Sequence, residues 1–280
     1  MKSILILTDF SEAAFRAAEY ACELVDSLQV RRIILYHTYQ SIVVGTDLPT
    51  STVMNDRQIY LDSMEALGLV HDRLRPRVGN TVKIDLLAEA TTLFPDSINA
   101  LCRREAIDLI VLGVSGKSGA EKFLMGSVTT QVLQSSECPA LIVPEEAVIG
   151  KGINSIVLAA DLKDASTMPV NLLYKFLDAF PAELHVVNVL PEAKEKYSPE
   201  TEESIAKLHA VLENYKPAFH YIQGDDVVAN ILSFAGQHHA SLITAVPKKH
   251  GFLTALFHKS VSKKLAYHTQ VPLLVLPAVQ

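Results

Sequence analysis

The sequence predicts an α/β protein made of two tandem, doubly wound domains. Each should hold a mainly parallel, five-stranded sheet with helices on both faces. Three observations carry this. Continuous apolar runs end in polar residues, as strands buried on both faces do. Segments with apolar residues at helical spacing separate those runs. The same order then begins again in the second half of the chain.

Ser3 to Thr8 is the first apolar run, followed by Asp9-Phe10-Ser11. Ser11 suits a helix N-cap, because its hydroxyl can accept from a backbone N–H that the helix leaves unpaired. Ala14, Phe15, Ala18, Cys22 and Val25 then recur at helical spacing. Arg32 to His37 is the second strand, residues 40–55 read as a polar loop, and an amphipathic helix runs from Arg57 to His71. Val82 to Leu87 alternates as a third strand, and Pro95-Asp96 opens a helix, since proline suits the first turn. Asp108 to Gly113 is a fourth strand, Gly126-Ser127 opens a helix to Ser135, and Pro139 to Val143 is a short fifth strand.

Ser155 to Asp161 then mirrors Ser3 to Asp9, and Leu184 to Val189 mirrors Ile33 to Thr38. Ser241 to Thr244 mirrors Asp108 to Val111, and Val271 to Pro277 mirrors Cys138 to Pro144. The late matches keep one offset without a gap, 260 − 127 and 272 − 139 both giving 133. A period this long is a whole domain. Residues 1–146 form the first domain and 153–280 the second, with a linker within Glu145 to Asn154.

Composition narrows the function. Of the 280 residues, 49% are hydrophobic and 20% charged, enough for packed cores and far from the signature of disorder. The formal net charge of −6 argues against a general nucleic-acid binder, which needs a basic surface. No run approaches the ~20 apolar residues that span a membrane. The opening Met1-Lys2-Ser3 enters a strand directly and does not read as a leader, so the expected location is the cytoplasm. Cys22, Cys102 and Cys138 show no CxxC spacing and read as small apolar residues. His238-His239 and the pair His250 and His258 lack the spacing of metal ligands.

One constellation points to chemistry. In Gly113-Val114-Ser115-Gly116 the first glycine ends a strand, and nine residues after Gly116 the pair Gly126-Ser127 opens a helix. Ligands of doubly wound sheets lie at the carboxyl ends of the strands. A helix N-terminus offers unpaired N–H groups and partial positive charge, and glycines let a phosphate approach the backbone. The loop therefore suits a polyphosphate. It is neither a Walker A loop nor GxGxxG.

The spacing G-x2-G-x9-G-[ST] resembles the nucleotide motif of the universal stress proteins, and Leu7-Thr8-Asp9-Phe10-Ser11 resembles that family's first strand end and acidic residue. The resemblance covers nearly the whole chain as two copies, with a Rossmann-like sheet similar to that of the adenine nucleotide alpha hydrolases. It implies ATP in the first copy, with ADP and AMP left open, and Mg²⁺ or Mn²⁺ on the phosphates. It implies Asp9 at the adenine and ribose end, Thr38 lining the adenine through its backbone and Gly113 near the ribose. Thr8 and Leu112 adjoin them, and Gly116, Gly126, Ser127 and Val128 hold the phosphates.

The second copy departs from the pattern, with Val246, Lys249 and Lys259 in place of the three glycines and only Ser260 kept. No ATP is expected there, and its basic loop, residues 246–264, reads as a solvated charged face or a site for another anion. Three functions stay open: an ATP-binding regulatory protein of the stress response with protein partners still to be named, a slow ATP hydrolase, and an interaction module with a vestigial site.

Each copy ends in an apolar strand after a proline, Ala140 to Val143 and Leu273 to Leu276. An exposed apolar edge invites pairing, and single-domain universal stress proteins commonly dimerise through this strand. The linker of about ten residues, at ~3.3 Å each, lets the second copy fold back on the first. The expectation is an antiparallel, pseudo-two-fold pair within the chain, with a dimer of chains left open. Ile142→Asp and Val275→Asp should each destabilise the pair and expose apolar surface. Wild-type stability and compactness in solution scattering for both variants would refute the pairing.

Overall fold

A computed structural model describes residues 1–40, 49–90, 96–115, 132, 136–160, 168–190, 199–245 and 271–277. The described chain divides into two compact units, the first ending at Glu145 and the second beginning at Glu146.

The first unit runs β1 (Ser3–Leu7), α1 (Glu12–Leu24), β2 (Arg32–Tyr39), α2 (Pro49–Leu74), β3 (Lys83–Ala90), α3 (Asp96–Arg104), β4 (Leu109–Val114) and β5 (Ala140–Pro144). Its strands lie in the order β3-β2-β1-β4-β5, and every pairing is parallel. The apolar runs are fully buried: Ile4, Leu5, Ile6, Ile33, Leu35, Leu109, Ile110 and Val111 have almost no exposed surface. Burial at roughly 25 cal/mol per Å² is what holds such a sheet together.

Ser11 caps α1, its Oγ accepting from Ala14 N–H at 3.2 Å. Helix α1 packs on β1, β4 and β5, and α2 packs on β2 and β3. The chain moves outward from β1 to β3, then crosses back to β4, so right-handed crossovers send α1 and α2 to one face and α3 to the other. The polar loop read over residues 40–55 is shorter than expected, because α2 already begins at Pro49, where a proline costs no hydrogen bond. The expected helix after Gly126 lies outside the described residues, Val132 excepted.

The second unit repeats the plan with β6 (Ser155–Ala159), α4 (Val170–Ala179), β7 (Glu183–Leu190), α5 (Pro199–Leu212), β8 (Ala218–Gln223), α6 (Val227–Gln237), β9 (Leu242–Ala245) and β10 (Leu273–Val275). Its order is β10-β9-β6-β7-β8, again parallel throughout. Strand β8 and helices α4 to α6 have no counterpart in the sequence reading and are found in the structure.

Three histidines meet in this unit. His185 lies on β7, His220 on β8 and His238 at the end of α6. His185 Nδ1 and His220 Nε2 are 3.2 Å apart, so one must carry a hydrogen and the other a lone pair. His238 stacks on Phe234 at 4.0 Å, and its ring centroid lies 4.9 Å from that of His185. Burial pushes the imidazoles of His185 and His220 below the usual range, and neighbouring imidazoles push the same way. The carboxylate of Glu183, 3.9 Å from His185, opposes this.

The consequence has a definite sign. Below pH ~6.5 the unfolded chain takes up protons that the folded cluster resists. Stability of the second unit should fall as the pH drops from ~6.5 through the lowered folded values, and should be insensitive to these groups above. His220→Asn should flatten the dependence of the urea midpoint on pH between about 7.5 and 5.5. An unchanged slope in that variant would refute a role for the cluster.

Candidate functional site

The site begins where β1 ends. Thr8 N–H donates to Tyr36 O at 2.9 Å, the last sheet bond between β1 and β2. Thr8 O accepts from His37 Nδ1 at 2.8 Å, which assigns the hydrogen on that ring to Nδ1. Thr8 Oγ1 accepts from Phe10 N–H at 3.0 Å. Asp9 Oδ1 accepts from Ser11 N–H at 3.0 Å, an Asx turn that leads into α1.

These two side-chain bonds hold Phe10 at φ 65°, a left-handed conformation that costs a non-glycine residue about 1–2 kcal/mol. The strain places the Phe10 ring 4.4 Å from the ring of His37. Asp9 and Phe10 are exposed, while Thr8 is buried.

The neighbouring strands continue past β1. In a parallel ladder, alternate residues turn both backbone groups to the same side. Tyr36 faces β1, so Thr38 does too, yet the last pair between these strands is Leu7 with Tyr36. Thr38 N–H and C=O therefore point past the end of β1. On β4, Ile110 N–H donates to Pro139 O at 2.9 Å and Val114 O accepts from Glu145 N–H at 3.0 Å. Ile110, Leu112 and Val114 thus face β5, and Gly113 faces β1. The last pair between β1 and β4 is Ile6 with Val111, so the backbone of Gly113 also opens beyond it. Leu112 is buried in β4, opposite Ile142.

The structure thus gathers Thr8, Asp9, Thr38, Leu112 and Gly113 at the carboxyl ends of β1, β2 and β4. The strand order reverses between β1 and β4, the switch point at which doubly wound sheets hold their ligands. Gly116, Gly126, Ser127 and Val128 lie outside the described residues, as do Asp161 and the basic loop of residues 246–264. Phe10 and His37 were not among the residues singled out from the sequence. Their contact depends on the turn at Asp9, and only the φ of Phe10 reveals it. Among the described residues no group of three His, Cys, Asp or Glu side chains is placed to hold a metal ion.

Gly113 has a second reason to be glycine. A Cβ there would press into the carbonyl of Ala13, closer than real Cβ atoms come, and would lie 2.7 Å from Ala14 N. Both belong to the first turn of α1, whose backbone packs directly on the end of β4. The glycine thereby brings the α1 N-terminus and its partial positive charge against the switch point.

The first unit is an α/β domain of the doubly wound class with its crevice at the switch point. The universal stress protein family model matches residues 1–144, and the chain belongs to that family. A universal stress protein of Methanocaldococcus jannaschii is 28% identical over 142 residues, 51% of this chain and 81% of the relative. The fold of the whole chain is similar to that of a universal stress protein from Archaeoglobus fulgidus, with a TM-score of 0.63 at 18% identity, over 99% of this chain and 97% of that one. It is also similar to a functionally unknown protein of Pseudomonas aeruginosa, with a TM-score of 0.56 at 16% identity, over 99% and 93% of the two chains.

Gly113→Ala should destabilise the first unit by about 1–3 kcal/mol, because backbone must shift to admit the methyl. The check is chemical denaturation without nucleotide. A midpoint equal to wild type would mean that α1 does not press on β4 as described.

Proposed function

We propose that the first unit binds an adenine nucleotide, with ATP as the species that the motif favours. The observation that carries this is the open backbone of Thr38 and Gly113 at the switch point, beside the Asp9 carboxylate. A base needs a flat apolar surface and a few fixed polar groups. Phe10 and His37 offer rings, Thr38 offers a backbone donor and acceptor, and Asp9 offers an oxygen to a ribose hydroxyl. The residues described therefore fit the base and ribose. Gly116, Gly126, Ser127 and Val128 would hold the phosphates by the spacing of the motif alone. Hard phosphate oxygens would bring Mg²⁺ or Mn²⁺ with them.

We infer a regulatory role in the stress response rather than fast turnover. Phosphoryl transfer needs a placed base or water and charge-neutralising groups at the phosphates. The segment from Gly116 to Gly126 offers Lys117, Ser118, Glu121 and Lys122 in no catalytic pattern. The second copy, with Val246, Lys249 and Lys259, should hold no nucleotide in the same manner.

Calorimetry should give one ATP site per chain, and Gly126→Val should abolish it by setting a branched side chain against the phosphates. Two equivalent sites, or unaltered affinity in the variant, would refute the assignment. Hydrolysis should stay far below an ordinary enzyme rate, on the order of 10 per second.

A further inference from the structure

Cys102 and Cys138 are far apart in the chain and meet in the fold. Cys102 is buried in the last turn of α3, and Cys102 and Cys138 are each hydrogen-bonded to Ile107. The backbone around both is fixed. Ile107 N–H donates to Cys102 O at 2.9 Å, and Cys138 Sγ donates to Ile107 O at 3.5 Å. Glu137 N–H donates to Asn99 Oδ1 at 3.1 Å, and Arg103 pairs with Glu137 at 2.6 Å. Ser136 Oγ accepts from Cys138 N–H at 3.0 Å. The segment entering β5 is thus stitched to α3 along one seam, with Cys102 and Cys138 on either side of Ile107. Cys22 lies apart on α1, buried, with its thiol pushed up to about 12 by that burial.

We propose that Cys102 and Cys138 form a redox pair, which a peroxide converts to a reversible disulfide within the chain. The neighbouring Cys102 thiol holds the Cys138 thiol below its usual range, against the effect of burial. Cys138 and burial together raise Cys102. Cys138 is also the less buried of the two, so it attacks first. Its thiolate bonds to one peroxide oxygen, the O–O bond breaks, and hydroxide leaves and takes up a proton as water. Cys138 is then a sulfenic acid. The Cys102 sulfur gives up its proton and attacks the Cys138 sulfur, the S–O bond breaks, and a second water leaves. Two thiols lose two electrons and one peroxide gains them. The new bond closes a loop that contains β4 and the whole segment from Gly113 to Ser127.

The test treats the full-length protein with hydrogen peroxide, alkylates the remaining thiols and maps the unreduced digest by mass spectrometry. The peptides carrying Cys102 and Cys138 should be joined, the free thiols should fall from three to one, and dithiothreitol should restore all three. Cys22→Ser should leave the linkage intact. Cys102→Ala should stop Cys138 at the sulfenic acid, trapped by dimedone. Three thiols surviving peroxide would overturn the proposal. So would a disulfide between chains, or Cys138 reaching sulfinic acid while Cys102 stays a thiol.

Discussion

The carbonyl of Thr8 is the last acceptor of the central strand, and the His37 side chain satisfies it at 2.8 Å. That bond ends β1 while β2 and β4 run on, and the crevice follows from the difference in length. The second unit repeats the device with another donor: Ala160 N–H donates to Val187 O at 2.9 Å, and Asn188 Nδ2 donates to Ala160 O at 2.8 Å. A buried carbonyl without a partner would be costly. An imidazole in one copy and an amide in the other meet the same need.

Two demands converge on Gly113. The sheet turns its backbone toward the opening beyond β1, and helix α1 requires that no Cβ stand between it and β4. The first is a demand of recognition and the second one of packing. The same glycine answers both because the helix end and the strand end form one wall. Asp9 and Ser11 complete that wall by turning the chain from β1 into α1 with side-chain acceptors.

The two units share a skeleton and differ at their edges. Beside β1, unit one places a positive-φ turn and the Phe10 ring tilted against that of His37. The outer strands β7 and β8 of unit two carry His185 and His220, whose imidazoles burial pushes below the usual range. A duplicated fold keeps what its core needs, while groups facing solvent are free to change.

Strand runs, helix caps, the tandem repeat and the glycine spacing were legible in the sequence, because each is a local pattern of side-chain size and polarity. The family model agrees over residues 1–144. Asp9, Thr38 and Gly113 are named as site residues through the resemblance to the family. Their sequence neighbours say nothing, however, of why Thr38 and Gly113 are open. That depends on which strands flank β1 and where their pairing stops, a matter of strand order. The contact of Phe10 with His37 needs a left-handed turn, and the meeting of Cys102 with Cys138 needs α3 and the entry to β5 to be adjacent. The three histidines likewise come from three separate elements. Distances of this kind are set by the packing of whole elements, which no local pattern encodes.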